Sequence, residues 1–338
     1  MKPYRCLVFG LGQVGREACR SLLRDGIEIV AAYSRQSHVD EDLGELLGSA
    51  PVGVPVQASS RFHARRDLAD IALFFTTSAM EDLLNEACAC LEQGIDVLTI
   101  AEDALFPWTH SPALAAELDA IARAGGATLV ASGVNDVAMA QLPAVLGAFT
   151  SGVLRIEVEC TGNFGHFGEE LLKQLPLGLD QAGYDDWLQA SAEQPQSASI
   201  AGQSLEALLA MTDQQAAGNI EINLEPTWTG SDLMLHTGQR LAAGTTSGIT
   251  EIARVRSSVG VALEIRLVGK VFEPADEEYL KVDIAADQPI SLLLGPLPGV
   301  QVTAALVLNR VFDVLAAGPG LWSIDRLPCA RLRLLEPR

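Results

Sequence analysis

Short apolar runs and segments of helical periodicity alternate through the first 150 residues, the order in which a parallel sheet is built with helices on both faces. Cys6–Phe9 is an unbroken apolar run suited to a buried strand, and Val14–Leu23 then repeats apolar residues at helical spacing and halts before Asp25-Gly26. Ile27–Tyr33, Ile71–Phe75, Asp96–Ile100 and Thr128–Ala131 read as further buried strands. Met80–Gln93, stopped by Gly94, and residues 111–124, stopped by Gly125-Gly126, read as helices between them. The fold class expected is α/β, a Rossmann-type doubly wound parallel sheet, in which ligands gather at the C-terminal strand ends. Those ends carry small polar sets: Thr76-Thr77-Ser78, Ala101-Glu102-Asp103 and Ser132-Gly133-Val134-Asn135-Asp136.

Beyond residue 150 the period changes. Val153–Glu159, Ile220–Leu224, Gly260–Val268 and Tyr279–Ile284 alternate in the manner of half-buried antiparallel strands. An alanine- and glutamine-rich stretch, Ala190–Gly218, lies between them and holds one helical pattern at Leu205–Met211. A second, α+β domain with a largely antiparallel sheet is therefore expected over 151–302. The last helical pattern, Thr303–Leu315, ends at Gly318-Pro319-Gly320 and is expected to return to the first domain, which then spans 1–150 plus 303–338.

Composition narrows the partners. With 43 acidic against 23 basic residues the net charge is −20, which repels phosphate backbones and argues against nucleic acid. No unbroken apolar run reaches the ~18 residues of a membrane span, and the N-terminus lacks a signal-peptide pattern, so a cytoplasmic, non-membrane protein is expected. The six cysteines include no C-x-x-C pair, so neither a zinc site nor a disulfide framework is expected and no metal ligand is assigned.

The chemistry begins at Gly10-Leu11-Gly12-Gln13-Val14-Gly15, three glycines at G-x-G-x-x-G spacing where the first strand meets the first helix. Gly10 suits the tight bend, Gly12 leaves bare backbone for a pyrophosphate, and Gly15 lets the helix pack closely on the strand. Together with Gln13 and Val14 they form a candidate dinucleotide site at a helix N-terminus. The second strand ends in Ser34-Arg35-Gln36, with no acid to take the ribose hydroxyls. Ser34 and Arg35 suit a 2′-phosphate instead, so NADP is the favoured cofactor, with NAD the alternative. Thr76, Thr77, Ser78 and Asn135, at strand ends, complete the cofactor-binding candidates.

Several separated segments resemble one family, the 2,4-diaminopentanoate dehydrogenases with the related native amine dehydrogenases, themselves similar in architecture to dihydrodipicolinate reductase. The anchors are Asp42-Leu43-Gly44-Glu45-Leu46, Gly53-Val54-Pro55-Val56, Thr76-Thr77-Ser78 and, most specific, Thr99-Ile100-Ala101-Glu102-Asp103-Ala104-Leu105-Phe106-Pro107. Thr303-Ala304-Ala305, Asn309, Pro319-Gly320-Leu321 and Asp325-Arg326-Leu327-Pro328 match the closing pattern. The resemblance implies a nicotinamide cofactor, a small-molecule amine or carbonyl substrate with ammonia, a homodimer, and Glu102 as the catalytic carboxylate. A carboxylate suits this chemistry because the intermediate is a cationic iminium.

The chain also departs from the pattern. Where the family reads Gly-x-Asn-Pro-Gly-Phe, this sequence reads Gly133-Val134-Asn135-Asp136-Val137-Ala138, which puts an extra acid, Asp136, among the substrate-pocket candidates. Phe164, His166 and Phe167, from Cys160-Thr161-Gly162-Asn163-Phe164-Gly165-His166-Phe167-Gly168, are the other pocket-wall candidates. Three readings stay open: an NAD(P)-dependent amine dehydrogenase working through an iminium, a reductase of imines or cyclic C=N bonds without ammonia exchange, and a cofactor-binding protein without catalysis.

Overall fold

The computed structural model describes residues 4–76, 79–192 and 199–333. By contacts the chain forms two compact units, 1–137 with 300–338 and 138–299, so the stretches 138–150 and 300–302 fall the other way from the division drawn on the sequence.

In the first unit the strands are β1 (Arg5–Phe9), β2 (Glu28–Ser34), β3 (Val56–Ala58), β4 (Ile71–Phe74), β5 (Asp96–Thr99) and β6 (Thr128–Ala131). With the short strand Gly320–Trp322 they make a seven-stranded sheet in the order Gly320–Trp322, β6, β5, β4, β1, β2, β3. Every pairing in it is parallel. Because successive side chains in a strand point to opposite faces, β1 divides its residues between two cores. Leu7 and Phe9 pack with Leu91, Leu118 and Ala122 from helices Glu86–Glu92 and Pro112–Gly125. Cys6 and Val8 pack with Ala18 and Leu22 from helix Gln13–Arg24 and with Val307, Val311 and Val314 from helix Gly299–Ala316. The long C-terminal helix thus belongs to the first sheet. Register places Phe9 beside both Tyr33 and Phe74. The three rings stack at 4.7 and 4.3 Å between centroids, an aromatic ladder just below the ends of β2, β1 and β4.

Two expectations are corrected here. The pattern Met80–Gln93 is not one helix: a 3-10 turn, Glu81–Leu84, gives way at Asn85, whose backbone (φ −93°, ψ −101°) is not helical, to Glu86–Glu92. Second, helix Gly299–Ala316 is, by length and composition, apolar enough to cross a membrane at a mean hydropathy of 1.4, although no unbroken apolar run was expected to reach that length. Its Ala304, Val307, Val311 and Val314 are buried in the core of the first unit, the arrangement of a core helix.

The second unit carries β7 (Arg155–Asn163), β8 (Glu221–Trp228), the short pair β9 (Leu233–Met234) and β10 (Arg240–Leu241), then β11 (Thr246–Arg256), β12 (Ala262–Lys270), β13 (Leu280–Ala285) and β14 (Ile290–Leu294). Six of them form a sheet in the order β14, β13, β7, β12, β11, β8, antiparallel except at β7–β12. Ile156, Val158, Leu263, Ile265, Val282 and Ile284 supply its buried face. On the other face Arg266 meets Glu159 and Glu225 at 3.6 Å and Glu264 at 3.4 Å. Strand β11 escaped the periodicity because Thr246, Ser247 and Thr250 are buried beside Ile252 and Ala253, leaving no clean alternation.

Candidate functional site

The turn after β1 is held by the Gly10 N–H, which donates to the Tyr33 carbonyl at 2.9 Å. Gly10 sits at φ +89°, and a Cβ there would lie 2.5 Å from the Phe75 carbonyl oxygen and 2.9 Å from Cγ2 of Thr76. A Cβ on Gly15 would lie 2.0 Å from the Gly10 carbonyl oxygen, so the helix is drawn hard against the turn. Gly12 is different: nothing stands within 4 Å of where its Cβ would be. It caps helix Gln13–Arg24, which has no side-chain cap and no acid in its first turn. Bare backbone at the positive end of a helix, with open space in front, fits an anionic pyrophosphate. Gln13 is exposed beside it, whereas Val14 turns its side chain into the core and has only backbone to offer.

At the end of β2, Ser34 is buried with its hydroxyl 3.0 Å from that of Ser37, and Arg35 is exposed with Nη2 3.4 Å from Asp82. Thr76 stands against Gly10, while Thr77 and Ser78 lie outside the described residues. The ends of β5 and β6 carry the decisive contact. Ser132 N–H donates to the Thr99 carbonyl at 3.0 Å, tying the two exits together. Beyond Thr99, a 3-10 turn, Glu102–Ala104, presents Glu102. Beyond Ser132, the first turn of a helix, Val134–Asp136, presents Asn135. The Asn135 Nδ2–H donates to Glu102 Oε1 at 2.6 Å, joining residues from two adjacent strand ends.

Asp136 is not a pocket acid. It is 1% exposed, with Oδ1 accepting from the Gly133 N–H at 2.7 Å and Oδ2 from the Ser132 hydroxyl at 3.0 Å. Burial pushes its carboxyl above the usual range, against the Arg310 charge and those two donors. In the second unit Phe164 and Phe167, their ring centroids 4.9 Å apart, pack against the cluster of Leu172, Leu177, Leu235, Leu241 and Val271. The Phe164 ring lies over Gly269, so both rings have a packing role within that unit. The His166 side chain lies outside the described residues.

Residues 4–99 match the model of the family described as dihydrodipicolinate reductase, N-terminus. Over its whole length the chain is 22% identical to a 2,4-diaminopentanoate dehydrogenase of Acetoanaerobium sticklandii, covering 98% of this chain and 95% of that protein. It superposes on the structure of an amine dehydrogenase from Mycobacterium smegmatis with a TM-score of 0.88 and 29% identity, covering 98% of each chain. The chain is an amine-dehydrogenase-like oxidoreductase. A dihydrodipicolinate reductase from Paenisporosarcina sp. TG-14 shares the fold at a TM-score of 0.51 and 13% identity.

Most of the segments that carry the likeness to the amine dehydrogenases are structural. Asp42 knits its own loop, its carboxylate accepting from the N–H groups of Gly44, Val52 and Gly53 at 2.8 to 2.9 Å, which hold it below the usual carboxylate range. The Leu321 N–H donates to Asp119 at 2.8 Å, and the Trp108 indole donates to Ser323 at 2.9 Å, fastening the last strand to the sheet edge. Asn309 donates to the Ala305 carbonyl and accepts the Arg333 N–H. The segments around Gly10, Thr76, Glu102 and Asn135 follow the C-terminal ends of β1, β4, β5 and β6. Sequence reasoning missed Arg310, whose signal was an arginine three residues before Asp313 on the buried face of an apolar helix.

Proposed function

We propose that this chain interconverts an amine, or an amino acid, with a ketone or aldehyde plus ammonia, using a nicotinamide cofactor. The observation that carries the reading is the Asn135–Glu102 hydrogen bond at the C-terminal edge of a parallel sheet whose first turn suits a pyrophosphate. Gly10, Gly12 and Gly15, with the start of helix Gln13–Arg24, would hold the dinucleotide. When bound, the nicotinamide supplies the hydride acceptor in one direction and the donor in the other. In the oxidative direction Glu102, as carboxylate, takes a proton from the substrate ammonium and passes it to solvent, so that it is again a carboxylate when hydride leaves the free amine. As the C–H bond breaks and the C=N bond forms, the same carboxylate faces the developing iminium charge, an interaction stronger in the transition state than in the ground state. Water then adds to the iminium carbon and ammonia departs. The neutral Asn135 amide orients the carboxylate without cancelling its charge.

NADP is the cofactor favoured in this reading. Ser34 and Arg35 end β2 in place of an acid, and a 2′-phosphate would draw Arg35 from its solvent-exposed partner Asp82. The working form is a homodimer, in keeping with the exposed Leu293 and Leu294 on edge strand β14. The test is oxidation of NADPH and NADH with a panel of ketones and aldehydes, with and without ammonium at alkaline pH. Ammonia-dependent turnover is the expected result. Turnover confined to preformed cyclic imines would replace the proposal with imine reduction, and tight cofactor binding without turnover on any substrate would overturn it.

A further inference from the structure

We infer that Asp136 is a positioning residue for the Glu102–Asn135 pair, a role that rests on the proposed function. Asn135 stands in the first turn, Val134–Asp136, of a helix that runs without a break through a wide π-type turn, Val137–Gln141, into Leu142–Gly147. The first turn of a helix carries N–H groups with no intrahelical partner, so its geometry depends on what caps it. Its entry is fixed from below, where Ser132 N–H reaches the Thr99 carbonyl. Its remaining freedom is taken up by Asp136. One carboxylate oxygen reaches back to the Gly133 N–H at 2.7 Å, and the other takes the Ser132 hydroxyl at 3.0 Å. The side chain that closes the turn is therefore the immediate neighbour of the side chain that meets Glu102.

A buried carboxylate is costly without a counter-charge, and the C-terminal helix supplies one. Arg310 is fully buried, with Nη1 on Asp313 at 3.3 Å and on the Pro328 carbonyl, while its Nε and Nη2 have no hydrogen-bond partner. Its positive field acts on Asp136. Asp313 in turn pairs with Arg333. Asp136, its two oxygens held by the Gly133 N–H and the Ser132 hydroxyl, serves as a fixed pair of acceptors.

Asp136→Asn keeps an acceptor for Gly133 and a partner for Ser132, whereas Asp136→Ala keeps neither. Steady-state kinetics, NADPH titration by fluorescence, and the side-chain amide resonance of Asn135, assigned by its loss in Asn135→Asp, are measured on the full chain. Displacement of about 1 Å costs on the order of 100-fold, so Asp136→Ala should lower kcat about 100-fold while KM and cofactor Kd move less than about 3-fold. Asp136→Asn should restore kcat to within about 5-fold of the parent. The Asn135 amide resonance should shift in Asp136→Ala and hold in Asp136→Asn. Ser132→Ala, a milder change, decides the matter if Asp136→Ala does not fold: it should lower kcat about 5-fold, and an unchanged kcat overturns the inference. So does an Asp136→Ala variant with kcat within about 3-fold of the parent, or an Asp136→Asn variant no better than Asp136→Ala. If the parent turns over no amine, the functional proposal has failed, and the Asn135 resonance alone then decides whether Asp136 positions it.

Discussion

Replacing Gly12 by alanine separates binding from folding more cleanly than any other change in the glycine turn. The new methyl would meet nothing within 4 Å, and the backbone at φ −69° is open to alanine. Loss of unfolded-state freedom stabilises such a variant by about 0.4–1 kcal/mol, and the poorer helix cap gives a few tenths back, so stability should stay within about 0.5 kcal/mol. The same methyl stands where the pyrophosphate would lie against backbone. Displacing one charge-assisted hydrogen bond costs about 1.5–3 kcal/mol, or roughly 10- to 100-fold in Kd. Gly15→Ala makes the contrast, because its Cβ would lie 2.0 Å from the Gly10 carbonyl oxygen. Relieving that overlap should cost about 1–3 kcal/mol of stability. The assays are NADPH fluorescence titration and urea unfolding of both variants beside the parent. An unchanged Kd for Gly12→Ala would refute the pyrophosphate assignment, and a loss of stability equal to that of Gly15→Ala would refute the reading of the open space.

Glu102→Gln should lower kcat by about 100- to 1,000-fold with cofactor affinity intact, because it removes the charge facing the iminium; turnover at the parent rate would remove Glu102 from the chemistry. Arg35→Ala should weaken NADPH binding about 10-fold and leave NADH unchanged, and its exposed pair with Asp82 contributes little stability. Equal losses for both cofactors would contradict the 2′-phosphate role. At the opposite edge of the sheet, burial pushes the Asp96 carboxyl up to about 6, with Asp70 adding to the rise against the Thr128 N–H at 2.7 Å. The folded chain then binds more protons than the unfolded chain between about pH 4 and 6, so this group's contribution to stability falls as pH rises through 6. Asp96→Asn, which retains an acceptor for Thr128, should gain about 1–2 kcal/mol at pH 8 and nothing near pH 4 in urea unfolding.

How far the sequence could be read follows from the range of each interaction. The strands of the first sheet were legible because a strand buried on both faces must be apolar throughout, as Cys6–Phe9 and Ile71–Phe74 are. Asn85 broke a helix whose apolar spacing continues across it. Strand β11 hid because it buries Thr246, Ser247 and Thr250 as well as Ile252 and Ala253, which breaks the alternation. Glu102 and Asn135 were each legible as polar residues at strand ends, yet no local pattern joins side chains 33 positions apart. Asp136 looked like an open acid because its burial is set by tertiary packing that no local pattern records.

By itself, then, the sequence determined the strand-and-helix alternation and the glycine turn, since apolar period, Gly10's left-handed backbone and the bare Gly12 act within a few residues. Tertiary structure decided which side chains meet. The Thr99–Ser132 tie sets two chain exits side by side, Asp136 is buried on its Ser132 and Gly133 partners, and Asn135 meets Glu102. Which group an asparagine at a helix start meets is decided by the chain exit packed beside it, here 33 positions away, because no local pattern records which strands will be neighbours.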